Sequence, residues 1–186
     1  MFTFDEATHT YALDGTILPS VSQLLSGCGI INTSFFKPEH AEAGTRRHLI
    51  TEYYDKGTLD WGTVGEADLP YLEAWIKARE ELGFNIVEIE QRMYHPQYGY
   101  AGTIDRITEI NDAPWIIDIK TGQKQRWHEL QVVLYGLMLS HDGVHPNLMD
   151  IYIKKNGKYS TEVFGYDKKN TALAALRVYQ FKEKRT

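Results

Sequence analysis

A chain of 186 residues with 42% hydrophobic and 24% charged residues can bury one full core and has the make-up of an ordinary globular domain. Its single cysteine, Cys28, excludes an intramolecular disulfide, a four-cysteine iron–sulfur site and a CxxC zinc site. The net charge of −5 excludes a generally basic surface but says nothing against a local groove. With no apolar run near 18 residues and no signal-peptide pattern in MFTFDEATHT, a cytoplasmic location without membrane attachment is expected.

The opening FTFDEATHTYALDGTILPSVSQLL predicts a short hairpin turning at Asp14-Gly15, then a short helix capped by Ser20 or Ser22. A helix is expected over 38–57 and another over 69–83, where Leu72, Trp75, Ile76 and Leu82 make an apolar face. Three β-like runs follow: 85–95, 100–110 beyond the turn PQYG, and 114–120 beyond a tight turn at Asn111-Asp112. Residues 123–140 predict a long helix. Strands at 149–155 and 159–166 flank Asn156-Gly157, a strong hairpin signal, and DKKNTALAALRVYQFKEK reads as a closing amphipathic helix. No repeat or Pro/Gly/Ser-rich linker divides the chain, so residues 1–186 are expected to form a single domain. This order predicts an α/β fold with one central mixed sheet flanked by helices.

Chemistry concentrates in the third β-like run and its neighbours. WIIDIKTG places Asp118 and Lys120 two residues apart in an apolar strand, on one face. Charges in such a strand are costly unless something uses them. In YAGTIDRITEI, Ala101, Thr103, Asp105 and Ile107 should share a face, and the tight turn sets Asp105 near Asp118. Two carboxylates held together repel unless a cation lies between them, and hard divalent ions prefer such oxygens. An ion there suits phosphodiester hydrolysis, with Lys120 orienting or helping to deprotonate water, or offsetting phosphate charge. A strand-edge salt bridge from Lys120 to Asp105 or Asp118 explains the same residues without any activity.

The surroundings add weight. Lys124, His128, Gln131 and Tyr135 recur at helical spacing beside an apolar face of Trp127, Leu130, Leu134, Leu137 and Met138. On the helix over 38–57, Thr45, His48 and Glu52 share a face, though HxxxE is common in helices. Glu90 is a further acid within reach of an ion, or a surface residue. Local basic clusters occur at Lys124/Arg126, Lys154/Lys155/Lys158 and the C-terminal KEKRT, each of which equally suits a solvated surface.

GTIDRI, WIIDIKTG and LQVVLY, in that order and spacing, resemble the PD-(D/E)XK nuclease superfamily, nearest to its RecB-like branch of phage and recombination exonucleases. Gly44-Thr45-Arg46-Arg47-His48 supplies the branch's GxxxH, Gly102 to Asp105 its GxxD, Asp118-Ile119-Lys120 its D/ExK, and Gln131 to Tyr135 its QxxxY. The resemblance implies a restriction-endonuclease-like core. It implies Asp105, Asp118, the Ile119 main-chain carbonyl and His48 as metal ligands, with Glu90 a less secure addition, and Lys120 as the catalytic lysine. Gln131 and Tyr135 would organise the site or hold the substrate strand, with Lys124 and His128 as further strand contacts and Glu52 supporting the ligands from behind.

The expected activity is a Mg²⁺- or Mn²⁺-dependent DNA exonuclease acting in recombination, repair or phage DNA processing, in a bacterial or phage-infected cell. DNA would be held through its backbone with little base readout. Tyr94, Tyr98 and Trp127 are candidates to stack on unpaired bases, although hairpin or core packing accounts for them as well. One cysteine leaves no iron–sulfur cluster, and no helicase motif fits, so a helicase or single-strand annealing partner would be a separate protein. A structure-selective endonuclease and a non-catalytic DNA-binding subunit are the alternatives.

Overall fold

In the computed structural model, which describes residues 1–32, 38–141, 143 and 145–183, a small N-terminal sheet leans on a helix-flanked central sheet. The small sheet comprises β1 (Phe2–Asp5), β2 (Thr10–Leu13) and β3 (Thr16–Leu18), one strand more than the expected hairpin. Asp14 and Gly15, both at positive φ, close its second turn. Helix α1 (Val21–Gly27) follows, with Ser20 rather than Ser22 as its cap: Gln23 N–H donates to Ser20 Oγ, and Gln23 Oε1 accepts from Ser20 N–H. Ala101 N–H donates to the Pro19 carbonyl, and Tyr11 Oη shares a hydrogen bond with Thr103 Oγ1 at 2.7 Å, so the small sheet is tied to the large one.

Two helices come next, α2 (Pro38–Asp55) and α3 (Leu69–Leu82), with a short 3₁₀ turn at Trp61–Thr63 between them. The central sheet contains β4 (Asn85–His95), β5 (Tyr100–Ile110), β6 (Ala113–Lys120), β7 (Asn147–Ile153) and β8 (Tyr159–Phe164), in that spatial order. Only β6 and β7 run parallel, and the crossover between them is α4 (His128–His141). Asn111 and Asp112, both at positive φ, make the two-residue turn between β5 and β6. Helix α5 (Lys169–Glu183) ends the described chain; Lys184 and Arg185 of the C-terminal basic cluster lie outside it. The α/β expectation with one mixed sheet therefore holds.

The sheet has a core on each face. On one, Ile104, Ile116 and Leu148 meet α1, α4 and α5. On the other, Ile117, Ile119, Met149, Ile151 and Ile153 meet Ala74, Trp75 and Ala78 of α3. Helix α4 is buried at His128 and from Leu130 to Met138, because it packs between the sheet and the neighbouring helices. It begins at His128, not at 123: residues 123–127 are needed to carry the chain from the sheet edge to the helix layer. Lys124 is thus off the helix, ion-paired with Glu162 at 3.2 Å. No helix among the described residues is long and apolar enough to cross a membrane.

A buried ion pair joins these layers. Arg106, 0% exposed, donates from Nε to Asp55 Oδ2 at 2.6 Å, and Asp55 also accepts from Trp75 Nε1 and Arg79. The same guanidinium reaches Thr51 Oγ1, Glu90 Oε1 and the Asp105 carbonyl. Every strong donor and acceptor is answered, which a buried pair requires to offset desolvation. Asp55→Ala leaves Arg106 buried and uncompensated, and is expected to cost about 3–5 kcal/mol in urea unfolding.

Candidate active site

Strand alternation is broken where the acids meet. Ala101 packs under the N-terminal sheet with Tyr11 and Leu18, whereas Ile107 packs towards the core of α1, α4 and α5. The four residues 101, 103, 105 and 107 therefore do not share one environment, as simple alternation had predicted. Ile104 belongs to one core while Arg106 reaches into the other, so the switch falls at Asp105. Opposite it, between the pairs Ile89↔Arg106 and Gln91↔Ile104, Glu90 has a left-handed backbone, φ 52°. A non-glycine residue there is strained, and the surrounding strands and Arg106 hold it.

Asp105 is nearly buried. Ile119 N–H donates to its Oδ2 at 2.7 Å, and His48 Nδ1 from α2 lies 3.5 Å from the same oxygen. His48, Glu90 and Asp105 each offer a ligand atom within 4.8 Å of the others. Asp118 stands outside this trio, with its carboxylate in ion-pair contact with the Lys120 ammonium. Lys120 Nζ also donates to Gln131 Oε1 at 2.5 Å, and Gln131 Nε2 donates to Tyr135 Oη at 3.1 Å. The QxxxY pair of α4 thus ends on the lysine of β6. Gly102 makes room for it, since a Cβ there would stand 2.8 Å from Tyr135 Cε1.

Charges are crowded along the sheet. Beyond Asp118, the register places Asp150 on β7 and Glu162 on β8 in the same row. Asp150 is 0% exposed; Tyr152 Oη donates to its Oδ2, His128 Nδ1 bonds that same hydroxyl, and its Oδ1 has no partner among the described residues. Sequence reasoning missed Asp150, although MDIYI carries the signal of an acid inside an apolar strand that WIIDIK carries too. It also missed the Asp55–Arg106 pair beneath the site.

Burial, then repulsion from Asp105, pushes Glu90 up to about 7; burial, then Asp118, pushes Asp150 up to about 8. Burial also raises Asp118, helped by Asp105 and only partly countered by Lys120. Burial pushes Asp105 the same way, but His48, the Ile119 N–H and Arg106 outweigh it and hold it below the usual carboxylate range. Burial opposes the charge on His48 and on Lys120; neighbouring acids win at both, raising each pKa. His128 goes the other way, to about 3, through burial and the nearby Lys120, so it is neutral at pH 7.

A cavity of about 660 Å³ opens over the site, lined by His48, Asp105, Asp118, Lys120, Trp127, His128, Gln131 and Tyr135 among others. Of the other expected residues, Lys124 is bound to Glu162 beside this wall, and Glu52 is turned to Lys56 at 2.5 Å. Tyr94 packs at a tilt against Phe2 and Tyr98 against His95, which makes them packing residues; Trp127 faces the cavity, its ring centre 5.4 Å from Lys120 Nζ.

A mixed sheet whose acids and lysine converge with a helical histidine defines a class of acid-centred cores whose donors could hold a metal ion. The sequence model of the PD-(D/E)XK nuclease superfamily matches residues 37–183, and the chain belongs to that superfamily. Among solved structures, a candidate exonuclease from Eubacterium rectale is similar at a TM-score of 0.51 and 12% identity, over 77% of this chain. The chain spans 65% of that structure's length. An alkaline exonuclease from Laribacter hongkongensis gives a TM-score of 0.45 at 12% identity, over 89% of this chain and 87% of its own. At 12% identity, the likeness to the Eubacterium rectale structure shows the fold. Curated proteins give no match.

The raised carboxylates set a pH dependence. Glu90 and Asp150 bind protons more tightly folded than unfolded, so stability falls as pH rises from the ordinary carboxylate range through about 7 and 8. Without divalent ions, the melting temperature is expected to drop between pH 5 and 8 on this account. Glu90→Gln and Asp150→Asn should each reduce that drop, measured by differential scanning fluorimetry.

Proposed function

We propose that this nuclease-superfamily chain is a divalent-metal-dependent deoxyribonuclease, an exonuclease that hydrolyses DNA phosphodiester bonds in recombination, repair or phage DNA processing. The observation that carries the reading is the convergence of His48, Glu90 and Asp105 within 4.8 Å, with His48 and Asp105 lining the same cavity as Lys120. The donor set of two carboxylates and an imidazole fits a hard ion such as Mg²⁺ or Mn²⁺, and Glu90's raised pKa reflects repulsion that an ion would relieve. Asp118 and the Ile119 carbonyl would complete the set once Asp118 turns from Lys120 towards Asp105. Bound there, the ion supplies positive charge for the phosphoryl oxygens and acidity for a water.

The chain's own groups do the rest. Burial opposes the charge on Lys120, but Asp118 and Asp150 raise its pKa in the metal-free site, and its ammonium would serve as a donor to a phosphate oxygen. Gln131 holds that ammonium at the cavity and is itself held by Tyr135. Trp127 offers a ring to an unpaired base. Neutral His128 buttresses Tyr152 and contributes no charge to strand binding.

End-labelled linear DNA and closed circular DNA, digested with Mg²⁺, Mn²⁺ or EDTA, test the reading. Linear DNA should be degraded with either ion, circles should persist, and EDTA should abolish cleavage. Lys120→Ala should lose about 100-fold or more in kcat; full activity in that variant, or in EDTA, would sink the mechanism, and cut circles would indicate an endonuclease. Asp118→Asn should also be inactive while its metal-free melting temperature is unchanged or slightly higher, because burial and Asp105 already favour a neutral group there.

A further inference from the structure

We infer that the small N-terminal sheet builds a second nucleoside subsite, so that one DNA strand crosses the metal centre with a nucleotide held on each side of the scissile bond. The inference rests on the nuclease reading above. A second cavity of about 360 Å³ lies across the site from the first, at the lower end of the range for small-molecule pockets. Asp105 and Tyr135 line both cavities, so these two residues form the divide between them. A phosphodiester joins two nucleosides. A bond positioned at Asp105 has one cavity on each side for its two nucleosides.

One wall of the second cavity comes from residues outside the superfamily match, which begins at residue 37. Thr8 and His9 lie on the β1–β2 turn, Tyr11 on β2, and Ser22 and Gln23 on the exposed side of α1. His9 has φ 50°, and its ring stands edge-on to both Phe4 and Tyr11, which fixes its place at the rim. The wall is held rigidly to the sheet through the Ala101–Pro19 and Tyr11–Thr103 hydrogen bonds. Its chemistry is hydroxyl, amide and imidazole, with acids only at the metal end. Such a lining suits the hydroxyls and base edges of a nucleoside better than a bare phosphate.

Two substrates separate the arms of the test. Thymidine 5′-(p-nitrophenyl phosphate) places a nucleoside on one side of the scissile bond only, whereas an oligothymidylate needs both. Ser22→Glu puts bulk and negative charge into the second cavity from an exposed first-turn position, where an acid suits the helix. It should lower kcat/KM about tenfold more for the oligonucleotide than for the ester. Equal effects on both substrates, or none on either, would overturn the subsite. Hydrolysis of neither by the wild-type protein would instead defeat the nuclease reading. The strand path is then read independently: with Ca²⁺, a 4-thiothymidine oligonucleotide should photocrosslink within residues 8–23, and crosslinks confined to the Trp127 cavity would refute it.

Discussion

The Asp55–Arg106 pair is the constraint around which this molecule is arranged. One guanidinium, fully buried, ties the end of α2 to α3 through Asp55, Trp75 and Arg79, and ties both helices to β4 and β5. Arg106 immediately follows Asp105, so a residue that faces one core fixes the one beside it at the site. It also holds Glu90 in its strained backbone and neutralises part of the charge that β4 and β5 bring together. A buried pair seldom adds much stability over an apolar replacement, but removing one partner is severe. Here its evident use is orientation: α2 must carry His48 to within 3.5 Å of Asp105.

Above that frame, the sheet brings like charges into one row, Asp118, Asp150 and Glu162, with Asp105 and Glu90 continuing it across β5 and β4. Two residues further along β6, opposite Tyr152, stands Lys120, in contact with Asp118 and hydrogen-bonded to Gln131. The raised pKa values of Glu90, Asp118 and Asp150 follow from this crowding in a buried setting. A protein core with no chemistry to perform would be more stable with apolar residues at these positions. The arrangement makes physical sense where cation and phosphate are to share the same space.

Much of this was legible in the chain. Asn111-Asp112 and Asn156-Gly157 announced their hairpins, and the apolar runs around Asp118 announced buried strands. Asp105, Asp118, Lys120, Gln131 and Tyr135 were found by pattern and do line one cavity. Lys124 was misplaced because helical spacing continued past the point where the chain still had to climb from the sheet edge. Asp150 escaped notice because it is one acid in a distant strand, and only the parallel pairing of β6 with β7 sets it beside Asp118.

By itself, then, the sequence determined the order and kind of the elements and most of the polar groups at the site, because turn chemistry, periodicity and short motifs are local properties. Tertiary structure alone decided that Glu90 joins His48 and Asp105 while Asp118 turns to Lys120. It also decided that Asp55 and Arg106 lock the helices to the sheet, and that the N-terminal strands wall a second cavity. Each depends on contacts between residues far apart in the chain, on a break in strand alternation, or on a left-handed backbone at a glutamate. Such features carry no local signature; they arise when packing and buried charge have to be satisfied together.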